Sequence, residues 1–325
     1  MITVRTPFRI SFAGGGSDLD SFYKKSHGAV ISTTINKFMY IMIHPYFHNK
    51  IRVKYSRTED VISISQIQHP LVRECLKLMR IGKGVEITSI ADVPAGTGLG
   101  SSSAFTVGLL YALSGFKRRM RTKEWLAKTA CRIEIEKVKE PIGKQDQYAV
   151  SFGGLNYIRF NPDGSVWIEP IILKSEIKSQ LENNLLMFYV GNERKSRNIL
   201  SKQKKAMGDQ KKYETVCKMV ELAEKMKKVL THGELGKFGE LLHQGWILKK
   251  GLTEDITCDQ LDNYYQKALK AGAKGGKLLG AGGGGFFLFY CEPKFQNKLR
   301  KALNLRELDF KFDNEGVKTV YYDGE

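Results

Sequence analysis

Val93-Pro-Ala-Gly-Thr-Gly-Leu-Gly-Ser-Ser-Ser-Ala104 is the stretch on which the reading of the whole chain turns. Gly96, Gly98 and Gly100 open backbone conformations closed to other residues, and Ser101, Ser102 and Ser103 then place hydroxyls where a helix begins. Phe105, Leu109, Leu110 and Leu113 recur at helical spacing with no proline among them, which predicts a helix from about Ser102 through Phe116. The free N–H groups and positive dipole end of such a helix make the preceding loop an anion cradle, with phosphate the obvious ligand. No lysine follows the glycines, so this is not the standard phosphate loop and that loop's fold cannot be borrowed. A flexible Gly/Ser linker is the bland alternative; the β-like and helical patterns pressing on both sides argue against it.

The chain has 325 residues, enough for one large domain or two ordinary ones with a substantial core. Hydrophobic content of 42% and charged content of 26% suit a globular protein, and no apolar run approaches the length needed to span a bilayer. The first ten residues hold no signal-peptide core, so a cytoplasmic protein is expected, without a membrane partner. The 5 cysteines stand singly with no Cys-x-x-Cys pair, and the 6 histidines form no metal-site spacing; free thiols and no transition metal are expected. The net charge of +18 invites a nucleic-acid partner. However, the lysines are spread through amphipathic segments such as 202–205, 211–228 and 294–301, where solvated helix faces account for them. A protein handling polyanionic small molecules fits at least as well, and no nucleic-acid partner is expected.

Outward from the loop, a first strand beginning at Ile2 runs into a second glycine cluster, Ala13-Gly14-Gly15-Gly16-Ser17-Asp18. Asp18 suits either the cap of a short helix or hydrogen bonds to sugar-like hydroxyls. Strands are predicted at Lys37–Ile43, around Ile51–Tyr55 and at Gly84–Ile90, with a helix over His69–Met79 between the last two. A further helix, Thr122 to about Lys139, carries Glu134 on the apolar face formed by Ala127, Ala130, Cys131 and Val138. A buried acid needs a partner, either a structural Arg or Lys or a cation such as Mg²⁺, which takes few protein oxygens plus substrate phosphates. Pro141-Ile-Gly-Lys-Gln-Asp-Gln147 breaks that helix and begins another, placing Asp146 where it either presents a carboxylate to a cleft or caps the new helix. A hairpin follows, with Asn161-Pro-Asp-Gly164 as its turn.

Beyond Lys174 the pattern becomes helix-rich, and a domain boundary is placed near residue 180, dividing the chain into 1–180 and 181–325. Arg194, Lys195 and Arg197 put three cations in four positions, suited to gripping an anion or to a solvated loop. A third glycine cluster, Gly280 to Gly285, precedes a strand at Phe286–Tyr290 and lets two backbones, or a backbone and phosphates, approach closely. Strand runs in the first half followed by helices in the second argue for an α+β fold over a doubly wound sheet.

Three glycine clusters, with an acid-bearing segment after the second, resemble the motif order of the GHMP kinase superfamily over nearly the whole chain. Thr6-Pro-Phe-Arg9 through Asp18 resembles the first motif, Pro94 to Ala104 the second and Lys277 to Gly285 the third. The closer resemblance is to the D-glycero-D-manno-heptose 7-phosphate kinases, carried by Phe12–Asp18, Pro141–Gln147, Leu242–Lys250 and Gly276–Gly280. Gly15 and Gly16 stand where galactokinases have Glu and His, so galactose is not the expected acceptor.

The resemblance implies a two-domain fold with a ribosomal-protein-like βαβ core in the first unit and a ferredoxin-like, helix-rich second unit, the site lying in the cleft between them. It implies ATP and Mg²⁺ as cofactors and a sugar phosphate as acceptor, phosphorylated on its anomeric C1 hydroxyl. Pro94, Gly96, Thr97, Gly98, Leu99, Gly100, Ser101, Ser102 and Ser103 would hold the nucleotide, and Ser102 with Glu134 the metal. Asp146 would take the acceptor's proton, and Arg9 would keep that carboxylate ionised and draw charge off the transferring phosphoryl; the alternative for Arg9 is a structural ion pair. Gly15, Gly16, Ser17 and Asp18, with Gly282 and Gly283, would meet the acceptor. Its distal phosphate is assigned to Arg194, Lys195 and Arg197.

Overall fold

The computed structural model describes residues 1–191 and 196–324, without the side chains of residues 196 and 197. In chain order it begins with β1 (Ile2–Ala13), α1 (Asp20–Tyr23), β2 (Gly28–Pro45), β3 (Ile51–Lys54), β4 (Thr58–Val61), α2 (Pro70–Met79), β5 (Val85–Ala91), α3 (Ser101–Phe116) and α4 (Lys123–Cys131). A π-helical segment, Arg132–Lys137, leads to α5 (Gln145–Phe152) and the hairpin β6 (Asn156–Phe160) and β7 (Val166–Pro170). The second half holds α6 (Ser175–Asn184), β8 (Leu185–Gly191), α7 (Ser196–Ala206), α8 (Gln210–His232), α9 (Leu235–Lys250) and α10 (Asp259–Lys270). It closes with β9 (Ala273–Leu278), β10 (Gly285–Cys291), α11 (Pro293–Leu303), β11 (Arg306–Glu307), β12 (Phe312–Asp313) and β13 (Lys318–Tyr322).

β2 is the hub of the larger sheet. Its first residues pair with β6, its middle with β12 and its far half with β5, while β1 runs antiparallel along most of its length. The path through this sheet is β13-β1-β2-β5-β3-β4, with β3 and β5 the parallel pair. Val4, Phe8, Ile10 and Phe12 on β1 and Ile31, Ile35, Ile41 and Ile43 on β2 are buried, as expected of β-branched and aromatic residues in a sheet covered by helices. α3 lies against both strands with most of its length buried, the all-round burial of a central helix.

The smaller sheet has the order β11-β8-β10-β9, antiparallel throughout. α9 packs on β9, and Trp246, Tyr265, Phe287 and Phe289 form a buried aromatic cluster between helices and sheet. No helix is long and apolar enough to cross a membrane among the described residues.

Two local expectations change. The helix predicted from Thr122 to Lys139 is α-helical only to Cys131; the segment carrying Glu134 widens to i→i+5 bonding, as in Val138 N to Ile133 O at 2.9 Å. In addition, β12 and β13 return to the first sheet, pairing with β2 and β1. A division at residue 180 therefore leaves the smaller sheet whole but separates β12 and β13 from the larger sheet they complete, because strand pairing across the whole chain is invisible to local periodicity. α6 and β9 are elements that periodicity did not predict.

Candidate active site

Each glycine-bearing segment reaches the cleft by a different physical route. Residues 94–100 leave β5 and enter α3 through Gly100, whose φ of 77° makes it a left-handed N-cap. Ala104 N donates the first intrahelical bond to Gly100 O at 2.9 Å, so the amides of Ser101, Ser102 and Ser103 precede the ladder at the helix's positive end. This arrangement can bind an anion. Within it, Thr97 Oγ1 turns back to Pro94 O at 2.9 Å and Leu99 is buried, so these two shape the loop rather than face a ligand.

The third cluster packs directly on this loop. A Cβ on Gly98, which has a φ of +84°, would come within 2.6 Å of Leu279 O, and a Cβ on Gly280 within 2.5 Å of Gly98 Cα. Of the two explanations for these glycines, close approach of two backbones is the one realised here. Gly282 and Gly283 lie against Ile256, with Gly283 N donating to Ile256 O at 2.9 Å; Gly280 and Ala281 are the residues of this segment that line the cleft.

Arg9 and Ser11 share one face of β1, two residues apart. The Arg9 guanidinium grips Asp146 with Nε to Oδ1 at 2.7 Å and Nη2 to Oδ2 at 2.6 Å, and Nη1 donates to Gly98 O at 2.5 Å. One cation thereby fixes both the carboxylate and the loop, in the fork geometry that favours arginine over lysine. The carboxylate is 22% exposed against 4% for the arginine, so the acid opens to the cleft while its partner is sealed.

Asp146 stands in the first turn of α5, whose N-cap is Lys144. The capping alternative for this acid is therefore not the one adopted. Asp18 does that work from a distance: its Oδ2 accepts from Gln145 N at 3.2 Å and its Oδ1 from Gly16 N at 3.0 Å. It ties the second glycine cluster to the start of the helix bearing Asp146, and it does not cap α1, whose N-cap is Leu19. The fit is tight, since a Cβ on Gly143 would fall 1.9 Å from Asp18 Oδ2. Burial, and then the charge of Asp146, raise the Asp18 carboxyl above its ordinary range. Gly15 and Gly16 line the cleft beside it. The Ser17 hydroxyl is spent inside, donating to Gly14 O at 2.7 Å and accepting from Ala29 N at 3.0 Å.

Glu134 is fully buried. Ser102 Oγ donates to its Oε1 at 2.7 Å, while Ser103 Oγ at 2.9 Å and Gln147 Nε2 at 2.6 Å donate to its Oε2. These partners are neutral, and burial pushes its pKa up to about 7 despite them. The ion-pair alternative thus gives way to a carboxylate short of positive charge, beside a hydroxyl at the mouth of the anion cradle. That donor set fits Mg²⁺, which needs only one or two protein oxygens when phosphates supply others. Among the described residues there is no cluster of three or more His, Cys, Asp or Glu side chains that could hold a metal alone.

Two lysines of the motif segments, one in Leu242–Lys250 and one at the start of Lys277–Gly285, also reach this cleft. Lys249, in the last turn of α9, and Lys277, on β9, both line the cleft and are both buried. Local sequence gives no signal that they converge, because they come from separate elements. Arg194 and Lys195, and the Arg197 side chain, lie outside the described residues.

Comparison with known proteins agrees with this geometry. Residues 70–154 match the family model of the GHMP kinases N terminal domain, and residues 222–305 that of the GHMP kinases C terminal. The chain is 30% identical to the D-glycero-alpha-D-manno-heptose 7-phosphate kinase of Campylobacter jejuni, over 98% of each protein. It is 25% identical to the galactokinase of Pyrococcus furiosus, over 96% of this chain and 94% of that one. Among solved structures, a D-glycero-D-manno-heptose 1-phosphate kinase from Bacteroides thetaiotaomicron superposes with a TM-score of 0.80 at 25% identity, covering 100% of both chains. A Lactococcus lactis galactokinase shares the fold, with a TM-score of 0.77 at 17% identity. The chain belongs to the GHMP kinase family and is an ATP-dependent phosphotransferase.

Proposed function

We propose that this sugar kinase transfers the γ-phosphoryl group of ATP to the anomeric C1 hydroxyl of D-glycero-D-manno-heptose 7-phosphate, giving the 1,7-bisphosphate. The observation that carries the reading is the Arg9–Asp146 pair, a carboxylate held in fixed orientation beside a phosphate-binding loop and open to the cleft. The 30% identity to a heptose 7-phosphate kinase along the whole chain supports the choice of acceptor.

Asp146 accepts the proton of the C1 hydroxyl as its oxygen attacks the γ-phosphorus, and the bond to the β-phosphate bridging oxygen breaks to release ADP. An anomeric hydroxyl is more acidic than an ordinary alcohol, so a carboxylate suffices as base. The residue 94–103 loop holds the ATP phosphates through backbone amides. Arg9 orients Asp146 and offsets the charge developing on the transferring group. Asp18 and the Gly15–Gly16 backbone meet sugar hydroxyls. Glu134 and Ser102 hold Mg²⁺, which neutralises phosphate charge when bound. Residues 1–180 supply the nucleotide loop and the base, and residues 181–325 the facing wall of the cleft. The protein works in the cytoplasm, on the route to nucleotide-activated heptose for surface polysaccharide.

The test is an acceptor panel with ATP: heptose 7-phosphate, free heptose, fucose, galactose and mevalonate, with phosphorus NMR on the products. A new anomeric phosphate on heptose 7-phosphate, at higher kcat/KM than on any other acceptor, is expected. Preference for fucose, galactose or mevalonate would replace the heptose reading with another GHMP small-molecule kinase. Full turnover by Asp146→Asn would overturn the mechanism but not the family.

A further inference from the structure

Three basic side chains, Arg9, Lys249 and Lys277, line the cleft together with the carboxyls of Asp18 and Asp146. Lys249 Nζ bonds the carbonyl of Gly280 and lies 3.4 Å from that of Leu278, while Lys277 Nζ donates to Ser11 O at 2.6 Å and Phe12 O at 3.3 Å. Both lysines are about nine-tenths or more buried, at 6% exposure each, and the partners of both ammonium groups are carbonyl oxygens. Arg9, the third cation here, is already paired with Asp146. Among the described residues neither ammonium group has a carboxylate partner, and two such buried groups cost several kcal/mol unless an anion arrives or the proton leaves. Burial, and then the charge of Arg9, depresses Lys249 to about 7; burial, and then the charges of Lys249 and Arg9, depresses Lys277 well below its ordinary value.

A second observation points the same way. Ser11 lines this cleft, is 5% exposed, and its Oγ has no hydrogen-bond partner among the described residues. A buried hydroxyl left unpaired is costly unless a ligand completes it. Ser11 follows Arg9 by two residues on the same strand face, which sets the two positions about 7 Å apart along β1. A pyranose ring with its exocyclic carbons bridges a gap of that order.

We infer that Lys249 and Lys277, with the Ser11 hydroxyl, receive the distal phosphate of the acceptor and so select a phosphorylated sugar over a free one. The inference rests on the sugar-phosphate reading above. It moves the phosphate receptor from the Arg194–Arg197 run to the two lysines of the cleft wall. The ammonium groups exchange neutral carbonyl partners for a phosphate dianion, and Ser11 gains an acceptor for its proton.

The experiment compares KM for heptose 7-phosphate with KM for unphosphorylated heptose in the full-length wild type, Lys249→Met, Lys277→Met and Arg194→Ala, with KM for ATP measured throughout. In wild type the phosphorylated acceptor is preferred. In Lys249→Met its KM rises on the order of 10–100-fold, the loss expected for a charge-assisted bond to phosphate. KM for free heptose and for ATP moves far less, a split that a purely structural lysine would not produce. Should Lys249→Met not fold, Lys277→Met and Ser11→Ala carry the same comparison. A fall in kcat on both acceptors with the KM ratio kept would put the lysines on the transferring phosphoryl and overturn the inference. So would a ratio that responds to Arg194→Ala and not to either lysine. If wild type already uses free heptose as well as its 7-phosphate, the sugar-phosphate reading fails first, on the wild-type measurement alone.

Discussion

The guanidinium of Arg9 meets both carboxylate oxygens of Asp146, at 2.7 and 2.6 Å, and in the same stroke holds the carbonyl of Gly98. A strand, a loop and a helix start from three distant parts of the sequence are thereby locked at one point. Asp146→Asn keeps the size of the side chain and removes the base. Its kcat is expected to fall about 10²–10⁴-fold with KM for ATP little changed, as read by steady-state kinetics. A loss confined to KM would show that Asp146 only binds.

Arg9→Lys keeps the charge and loses the fork. With one point charge unable to meet both oxygens and Gly98 O, Asp146 is no longer held in register, and kcat should drop by an order of magnitude or more. Wild-type turnover in this variant would reduce Arg9 to a source of positive potential.

Glu134 makes the ligand-free protein sensitive to pH in a defined window. Its folded pKa of about 7 lies above the value of 4.5 for an unperturbed Glu, so the folded state binds the proton more tightly than the unfolded state does. Stability on this account is highest at or below pH 4.5 and is lost as pH rises toward 7, by about 3 kcal/mol in total. Denaturant unfolding of wild type and Glu134→Gln between pH 4.5 and 7 should show the variant lacking this slope. The depressed Lys249 acts in the opposite sense and only above about pH 7, so the two windows do not overlap. In proposed function, Glu134→Gln should also weaken Mg²⁺-dependent ATP binding, measurable by calorimetry.

Gly143→Ala tests the brace behind the base. The added methyl would sit 1.9 Å from Asp18 Oδ2, forcing apart the carboxylate and the α5 amide it accepts from. Loss of that cap costs about 1 kcal/mol. The expected signature is a modest drop in melting temperature and a much larger drop in kcat, because Asp146 lies one residue beyond the displaced amide. Equal and small losses in both would show that Asp18 does not position the base.

Gly98→Ala combines a left-handed φ of +84° with a Cβ 2.6 Å from Leu279 O. The backbone term alone is about 1–2 kcal/mol, and the clash adds to it. Thermal unfolding should show the loss, with KM for ATP raised because the loop is displaced from the third cluster.

Much of this protein is local in origin and was legible as such. Glycines at 96, 98 and 100 before an apolar helix spell an anion cradle, since the backbone conformations and free amides they need are properties of a few consecutive residues. Glu134 on an otherwise apolar stripe announces a buried carboxylate for the same reason. Alternating and helical periodicities place most strands and helices within a few residues, and the order of the motifs is enough to indicate the family. Which neighbour each polar group finds is decided only when the chain closes on itself. Asp18 could have capped its own helix; tertiary packing sends it across to Gln145. The widening of the helix at Arg132–Lys137 has no local sequence signal and coincides with the segment whose Glu134 is held by the hydroxyls of Ser102 and Ser103. The return of β12 and β13 to the first sheet is a pairing between opposite ends of the chain. Lys249 and Lys277, indistinguishable in sequence from the many solvated lysines of a chain with net charge +18, become the buried cations of the cleft because α9 packs on β9. Burial, not residue type, sets their chemistry, and burial is a property of the folded whole.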